Sequence, residues 1–224
     1  MRTKPWLMRR VGQWSACGMH EMDLPELVKV LAERGASERH VTAVAGPPGA
    51  GKSHVSDLLV EGLNARDPGS AAVFPMDGYH YDDAILDARG WRARKGAPHT
   101  FDVGGFAAML KRLRANTEDL IAVPVFDRSI EIARNAARFI SKDVRHLIVE
   151  GNYLLLDEVP WTGLDFDTTV FLHVPMEELE RRLLSRWSAL EGAELTAKME
   201  ENDLPNARRV VSKSRPAEFV LKNY

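Results

Sequence analysis

A cluster of glycines directly after a short apolar segment constrains the fold of this chain most strongly. The segment His40-Val-Thr-Ala-Val-Ala45 is followed by Gly46-Pro-Pro-Gly-Ala-Gly-Lys-Ser53. The apolar, β-branched run predicts a buried strand, and apolar residues from Val55 to Leu63 then recur at helical spacing. A strand, a turn of the form G-x-x-x-x-G-K-S and a helix, in this order, are typical of a phosphate-binding loop.

The chemistry of this loop depends on a few residue types. Glycine tolerates the backbone conformations that aim several N–H groups at one anion, and the following helix adds the positive end of its dipole. Lys52 is expected to contact the β- and γ-phosphates, and the Ser53 hydroxyl to bind Mg²⁺. We therefore predict that a nucleoside triphosphate binds to Gly46, Pro47, Pro48, Gly49, Ala50, Gly51, Lys52, Ser53 and His54.

Further apolar segments alternate with helical ones along the chain. After the first strand, others are predicted at residues 71–75, 121–126, 146–149, 168–174 and 218–221. Continuously apolar strands that alternate with helices indicate an α/β fold, in which helices cover both faces of a parallel sheet. Because such sheets bind ligands beyond the carboxyl ends of their strands, we expect the chemistry in the turns after Ala45, Pro75, Phe126 and Val149.

Length and composition exclude several classes of protein. The 224 residues suit one α/β domain, which we place at residues 22–224. We expect residues 1–21 to be an N-terminal tail, with Met19 or Met22 as an alternative start; the other interpretation is that this stretch packs onto the domain. A formal net charge of −2 argues against a nucleic-acid partner, and a single cysteine excludes an internal disulfide. No apolar run is long enough for a membrane span, so a cytoplasmic protein is expected.

Two acidic residues follow predicted strands. Asp77, in Met76-Asp-Gly-Tyr-His80, would lie near the phosphate loop and accept the proton of an attacking hydroxyl. Glu150 ends the apolar run Leu147-Ile-Val and would hold Mg²⁺, directly or through water. The simpler alternatives are that Asp77-Gly78 is only a turn and that Glu150 is a surface residue at a strand end.

The wider sequence narrows the choice among triphosphate-binding proteins. It contains neither the Asn-Lys-x-Asp motif with which GTPases bind guanine nor the Leu-Ser-Gly-Gly-Gln motif of transporter ATPases. A small-molecule kinase is therefore favoured. A regulatory ATPase that signals to a partner, without a small acceptor, remains the alternative from another functional class.

The motifs together resemble the phosphoribulokinase, uridine kinase and pantothenate kinase family of P-loop kinases. The resemblance covers residues 38–222, and its segments occur in family order: GPPGAGKS (46–53), MDGYH (76–80), RKGAPHTFD (94–102), PVFDRS (124–129) and LIVEGNYLL (147–155). Within this family the chain is most similar to the kinases of fructose transport systems. The resemblance implies a five-stranded parallel sheet with flanking helices, ATP as donor, Mg²⁺ as cofactor and a small hydroxylated metabolite as acceptor.

The resemblance also implies roles for individual residues. Asp77 would be the general base, Lys52 would act on the phosphates, and Ser53 and Glu150 would bind the metal. Arg182 and Arg186, four residues apart on a helix, would close over the phosphate, although a solvated basic face is the simpler alternative. We expect the acceptor to contact Asp77, Tyr79, His80, His99, Arg128 and Tyr153.

The acceptor itself stays open at this stage. The resemblance favours a sugar, with fructose first, but a nucleoside such as uridine or a pantothenate-type alcohol fits the same polar residues. The oligomeric state is equally open, a homodimer being one option.

Overall fold

A computed structural model describes residues 20–35 and 38–223 of the chain. Its strands are β1 (His20–Glu21), β2 (His40–Ala45), β3 (Ala71–Pro75), β4 (Leu120–Asp127), β5 (Ile132–Ser141), β6 (His146–Gly151), β7 (Thr168–His173) and β8 (Phe219–Lys222). Its α-helices are α1 (Leu24–Arg34), α2 (Lys52–Asn64), α3 (Asp83–Ala88), α4 (Val103–Ala115), α5 (Met176–Arg186), α6 (Gly192–Thr196) and α7 (Leu204–Lys213). A π-helix (Ala197–Asp203) joins α6 to α7.

The central sheet is parallel throughout, with the strand order β1-β8-β7-β2-β6-β3. Five of its strands form the predicted parallel core, and the two-residue strand β1 adds a sixth at one edge. Strand β1 consists of the last two residues of the predicted tail, and residues 1–19 lie outside the described part of the chain. The predicted α/β fold of three layers is confirmed.

Helices cover both faces of this sheet. Buried side chains alternate along β2, so that Val41 and Ala43 join the core under α4 and α7, whereas Val44 joins the core under α1 and α2. Helix α1 begins at a capping box, in which Asp23 accepts from the Glu26 N–H and the Glu26 carboxylate accepts from the Asp23 N–H. The alternation of side chains along β2 gives each face of the sheet an apolar surface for its helices. The capping box fixes the residue at which α1 begins.

One predicted strand lies outside the central sheet. Residues 120–127 form β4, which pairs only with the antiparallel strand β5 in a separate two-stranded sheet. A turn of four residues joins β4 directly to β5, without the crossover helix that a parallel pairing requires. The register shifts between Val123 and Val125, where Pro124 provides no N–H for the ladder. This hairpin extends towards the turn that carries Asp77.

The hairpin reaches this turn because Gly78 has no side chain. A Cβ at this position would lie 2.5 Å from the carbonyl oxygen of Pro124, which is closer than real Cβ contacts. The sequence Asp77-Gly78 is therefore more than a turn signal, since its glycine lets β4 pack beside the candidate base. Among the described residues, no helix has both the length and the apolar character needed to cross a bilayer.

Candidate functional site

The glycine-rich loop forms an anion-binding end at the start of α2. Gly51 is the N-cap residue of this helix and adopts the left-handed conformation, with φ 86° and ψ 23°. No side chain caps the helix, so the first backbone N–H groups of α2 are available to a ligand. This arrangement matches the anion site that the glycine spacing predicts.

The residues after Gly51 carry the charge and oxygen ligands of the loop. The Lys52 side chain is buried, and its Nζ donates to the carbonyl oxygen of Pro47 at 3.1 Å. Burial lowers the pKa of Lys52 to about 8, although the charges of Glu150 and Asp77 act in the opposite direction. The Ser53 hydroxyl donates to the Glu150 carboxylate over 3.4 Å. Burial, reinforced by the nearby Asp77 charge, raises the pKa of Glu150.

These groups fit a triphosphate with a divalent cation. The uncapped helix end and the buried ammonium provide positive potential, while the Ser53 hydroxyl and the Glu150 carboxylate provide two adjacent oxygen ligands. Among the described residues, no group of three or more His, Cys, Asp or Glu side chains could hold a metal ion. A metal at this position would therefore also need phosphate oxygens and water, as is usual for Mg²⁺.

Asp77 lines the same cleft as the phosphate loop. Its carboxylate accepts a hydrogen bond from the Arg128 guanidinium at 2.7 Å, and its side chain is 18% exposed. Burial alone would raise the pKa of Asp77, but His80, Arg128 and Lys52 outweigh this effect and hold it below its ordinary value. Asp77 is therefore a carboxylate at neutral pH, and it can accept a hydrogen bond from a hydroxyl group.

His80 is held beside Asp77 in a defined tautomer. Its Nδ1 lies 2.7 Å from the Asp77 carbonyl oxygen, which can only accept, so Nδ1 carries the hydrogen. The ring packs between Phe101 and Phe126, with centroid distances of 4.1 Å and 4.6 Å. Burial lowers the pKa of His80, which keeps the imidazole neutral at pH 7. Its Nε2 consequently carries a lone pair, and His80 is one of the residues that line the cleft.

The cleft has a volume of about 1180 Å³, and its lining includes the phosphate loop, Asp77, Glu150 and both predicted arginines. The Arg182 guanidinium donates hydrogen bonds to the Gly49 carbonyl at 3.4 Å and to the Asn223 carbonyl at 2.8 Å. Arg186 lies 5.0 Å from the centre of the Trp187 ring. Both arginines therefore border the cleft, as a closing function would require.

Three residues predicted to bind an acceptor do not line the cleft. Tyr79 packs edge-on against Phe74 and Phe106 in the core, and its hydroxyl is buried without a partner in the described residues. Tyr153 is fully buried and donates to the Gly96 carbonyl at 2.6 Å, beneath the cleft. His99 is exposed and packs edge-on against Trp91. Their positions do not support direct contact with an acceptor.

The cleft also contains residues that were not predicted. Lys95, Asn152 and Lys198 line it, and Asn202 lies behind it, 1% exposed. Lys95 lies within the segment RKGAPHTFD, which carried the family resemblance. The sequence therefore marked this segment but gave no signal for which of its side chains lines the cleft.

The chain is similar in sequence and structure to several known proteins. No protein-family model matches the chain. One similar solved structure comes from Silicibacter sp. TM1040 and is provisionally named a fructose transport system kinase. Its sequence is 38% identical to this chain, and the TM-score is 0.81. The similarity covers 89% of this chain and 98% of that one. The uncharacterized protein YggC of Escherichia coli is 35% identical over 208 residues, which are 89% of this chain and 84% of YggC.

Other relatives carry kinase names. The protein C227.14 of Schizosaccharomyces pombe, provisionally named a uridine kinase, is 29% identical over 197 residues, which are 83% of each chain. Bacterial pantothenate kinases also match, over smaller shares of their own length.

Proposed function

Because the chain belongs to the P-loop kinases of the uridine kinase and pantothenate kinase type, we propose that it transfers the γ-phosphoryl group of ATP to a hydroxyl group of a small metabolite. The observation that carries this proposal is one cleft lined by both the phosphate loop and Asp77. The loop supplies the anion site, and the carboxylate supplies a hydrogen-bond acceptor for the attacking hydroxyl.

The proposed mechanism assigns each group one task. The α2 N–H groups and Lys52 hold the phosphates and stabilise the charge that develops on the transferred group. Mg²⁺, held by Ser53 and Glu150 together with phosphate oxygens, would neutralise part of that charge. Asp77 orients the acceptor hydroxyl and accepts its proton as the new P–O bond forms and the bond from the γ-phosphorus to the bridging oxygen breaks, which releases ADP.

We propose fructose as the first acceptor to test. The support is the provisional name of the 38% identical relative, together with polar groups that suit a polyol. The His80 Nε2 can accept from one sugar hydroxyl, and Arg128 can donate to another oxygen while it remains near Asp77. A hydroxyl-rich acceptor would satisfy both groups at once.

A pantothenate-type acceptor with a carboxylate is the second candidate. Lys198 lines the cleft and lies 4.5 Å from the centre of the Trp187 ring. Neither Lys198 nor its neighbour Arg186 forms an ion pair within residues 20–35 and 38–223. An unpaired ammonium on the wall of the cleft could bind a carboxylate of the acceptor.

The test is a coupled assay of ADP release with Mg²⁺ and ATP. The panel contains fructose, other hexoses and polyols, nucleosides and pantothenate, and the Lys52→Ala variant serves as the control for contaminating kinases. We expect one acceptor to raise ADP release far above the rate without acceptor, in the wild type only. A rate that is flat across the panel would favour a regulatory ATPase instead.

A further inference from the structure

The Lys95 side chain joins two segments that border the acceptor side of the cleft. It is 9% exposed, and its Nζ donates to the Asp83 carboxylate at 2.6 Å. The same Nζ donates to the backbone carbonyl of Glu131, in the turn between β4 and β5 (residues 128–131, here the hairpin turn). Since Asp83 begins α3, one ammonium group fastens the hairpin turn to the body of the protein.

Phe126 links this ammonium to the groups around the candidate base. The Lys95 Nζ lies 5.5 Å and the Arg128 guanidinium 5.7 Å from the centre of the Phe126 ring. The same ring packs against His80, and Arg128 is bonded to Asp77. A displacement of the hairpin turn would therefore move Phe126 and Arg128 relative to His80 and Asp77.

The backbone of Lys95 and Gly96 contacts two further segments. The Lys95 carbonyl accepts from Asn202 at 2.8 Å, and Asn202 belongs to the π-helix. The next carbonyl, of Gly96, accepts from the Tyr153 hydroxyl at 2.6 Å. Because Asn202 and Tyr153 are both buried, the Lys95 backbone has a fixed position from which the ammonium can act on the hairpin.

We propose that Lys95 is a positioning residue that sets the hairpin turn, and with it Arg128 and Phe126, against Asp77 and His80. It acts through these residues on the placement of the acceptor, and it leaves the phosphate loop unaffected. The consequence for catalysis rests on the proposed function, whereas the consequence for the hairpin does not, so the two are tested separately.

The first experiment measures hydrogen exchange of the ligand-free protein. In Lys95→Met, which keeps most of the length of the side chain but loses the charge, we expect peptides covering residues 126–134 to exchange about tenfold faster. Peptides from β2 and β6 should remain unchanged. The matched control is Lys142→Met, which breaks the exposed ion pair with Asp119 at the opposite end of the hairpin and should leave residues 126–134 unchanged.

The second experiment uses the acceptor found in the panel. We expect Lys95→Met to raise the KM for this acceptor about tenfold while the KM for ATP stays within twofold, and Lys95→Arg to restore part of the loss. A merely structural role would lower the fraction of folded enzyme, and it would reduce kcat without this selective effect on one KM. If no acceptor is found, the exchange experiment still decides whether Lys95 holds the hairpin.

Two results would overturn the proposal: unchanged exchange of residues 126–134 in Lys95→Met, or equal changes in both KM values. Should Lys95→Met fail to fold, Asp83→Asn takes its place, because it weakens the same ammonium contact from a partner that is only half-buried. We then expect about threefold faster exchange of residues 126–134, and unchanged exchange there would equally overturn the proposal.

Discussion

The two sides of the cleft are built in different ways. The donor side, residues 46–54, is one continuous turn and the start of one helix. The proposed acceptor side is lined by residues from segments 77–80, 92–96, 126–131 and 197–206, which come from distant parts of the chain. The contacts that join them span long stretches of sequence: Arg128 reaches Asp77 over 51 residues, and Asn202 reaches Lys95 over 107. A motif can encode the first side alone, whereas the second depends on tertiary contacts.

We expect the two sides to differ in function as well as in construction. Substitutions on the donor side should alter ATP binding, and substitutions on the acceptor side should alter turnover or acceptor KM without affecting ATP. A variant that violates this separation would show that the two sides are coupled.

The largest effect is expected for Asp77→Asn. The amide keeps the shape of the side chain but cannot take up the proton, so acceptor-dependent turnover should fall by about 10²–10⁴-fold. The Kd for ATP, measured by calorimetry, should stay within twofold. Asp127→Asn is the control, since this carboxylate bonds Ser129 and Arg134 instead. Parallel losses of ATP binding and turnover in Asp77→Asn would identify Asp77 as a structural residue or a metal ligand.

The next effect is expected on the donor side, for Gly51→Ala. A non-glycine residue in the left-handed conformation costs about 1–2 kcal/mol, and the new Cβ would lie 2.6 Å from the Asn223 amide. Distortion of the loop should weaken ATP binding by about 5- to 30-fold, measured as the Kd by calorimetry.

Gly69→Ala is the matched control for this substitution. Gly69 has a similar φ of 80°, with nothing within 4 Å of the added Cβ. The free energy of unfolding of Gly69→Ala should fall by an amount comparable to that of Gly51→Ala, while its Kd for ATP stays that of the wild type. An equal loss of affinity in both variants would attribute the effect to general destabilisation.

The third effect concerns His80. His80→Phe keeps a ring between Phe101 and Phe126 but removes the Nε2 lone pair. Loss of one hydrogen bond of about 0.5–1.5 kcal/mol should raise the acceptor KM by about 2- to 13-fold, with the KM for ATP unchanged. The control His99→Phe, on an exposed residue outside the cleft lining, should change neither KM.

The lowered pKa of His80 predicts how the acceptor KM depends on pH. Burial lowers the pKa of His80. Its imidazole therefore stays neutral as the pH falls from 8 into the range where an exposed histidine takes up a proton. Only at more acidic pH does protonation convert Nε2 from an acceptor to a donor, so the wild-type acceptor KM should rise there. An acid rise of the same size in His80→Phe would assign it to another group.

Sequence predicted the donor side and the central sheet well because both rest on local patterns. The glycine spacing around Gly51 and the apolar run of β2 need no distant partner to be recognised. On the acceptor side, the motifs located the turn of Asp77 and the hairpin residue Arg128, which the structure brings within 2.7 Å. The strand β5 was missed because seven of its ten residues are exposed, five of them polar or small, so it has no continuous buried face to give a periodic pattern.

Side-chain direction limited the prediction further. Tyr79 and His80 are adjacent in the same motif, yet one side chain enters the core and the other lines the cleft. Polar character suggested an acceptor contact for both, and only the packing of α4 against the Asp77 turn distinguishes them. Lys95 was overlooked for the related reason that its partners, Asp83 and Glu131, are distant in sequence and carry no motif of their own.

The smallest effect tests this distinction directly, with Tyr79→Phe. The Tyr79 hydroxyl is buried without a partner in the described residues, so its removal relieves the cost of an unpaired polar group. We expect the free energy of unfolding in urea to stay unchanged or rise by up to about 1 kcal/mol, with both KM values those of the wild type. Tyr153→Phe is the contrast, because it loses the bond to Gly96 and should be less stable by about 0.5–1.5 kcal/mol. If Tyr79→Phe instead raised the acceptor KM several-fold at unchanged stability, the hydroxyl would contact the acceptor, and the acceptor side would extend into what the structure shows as core.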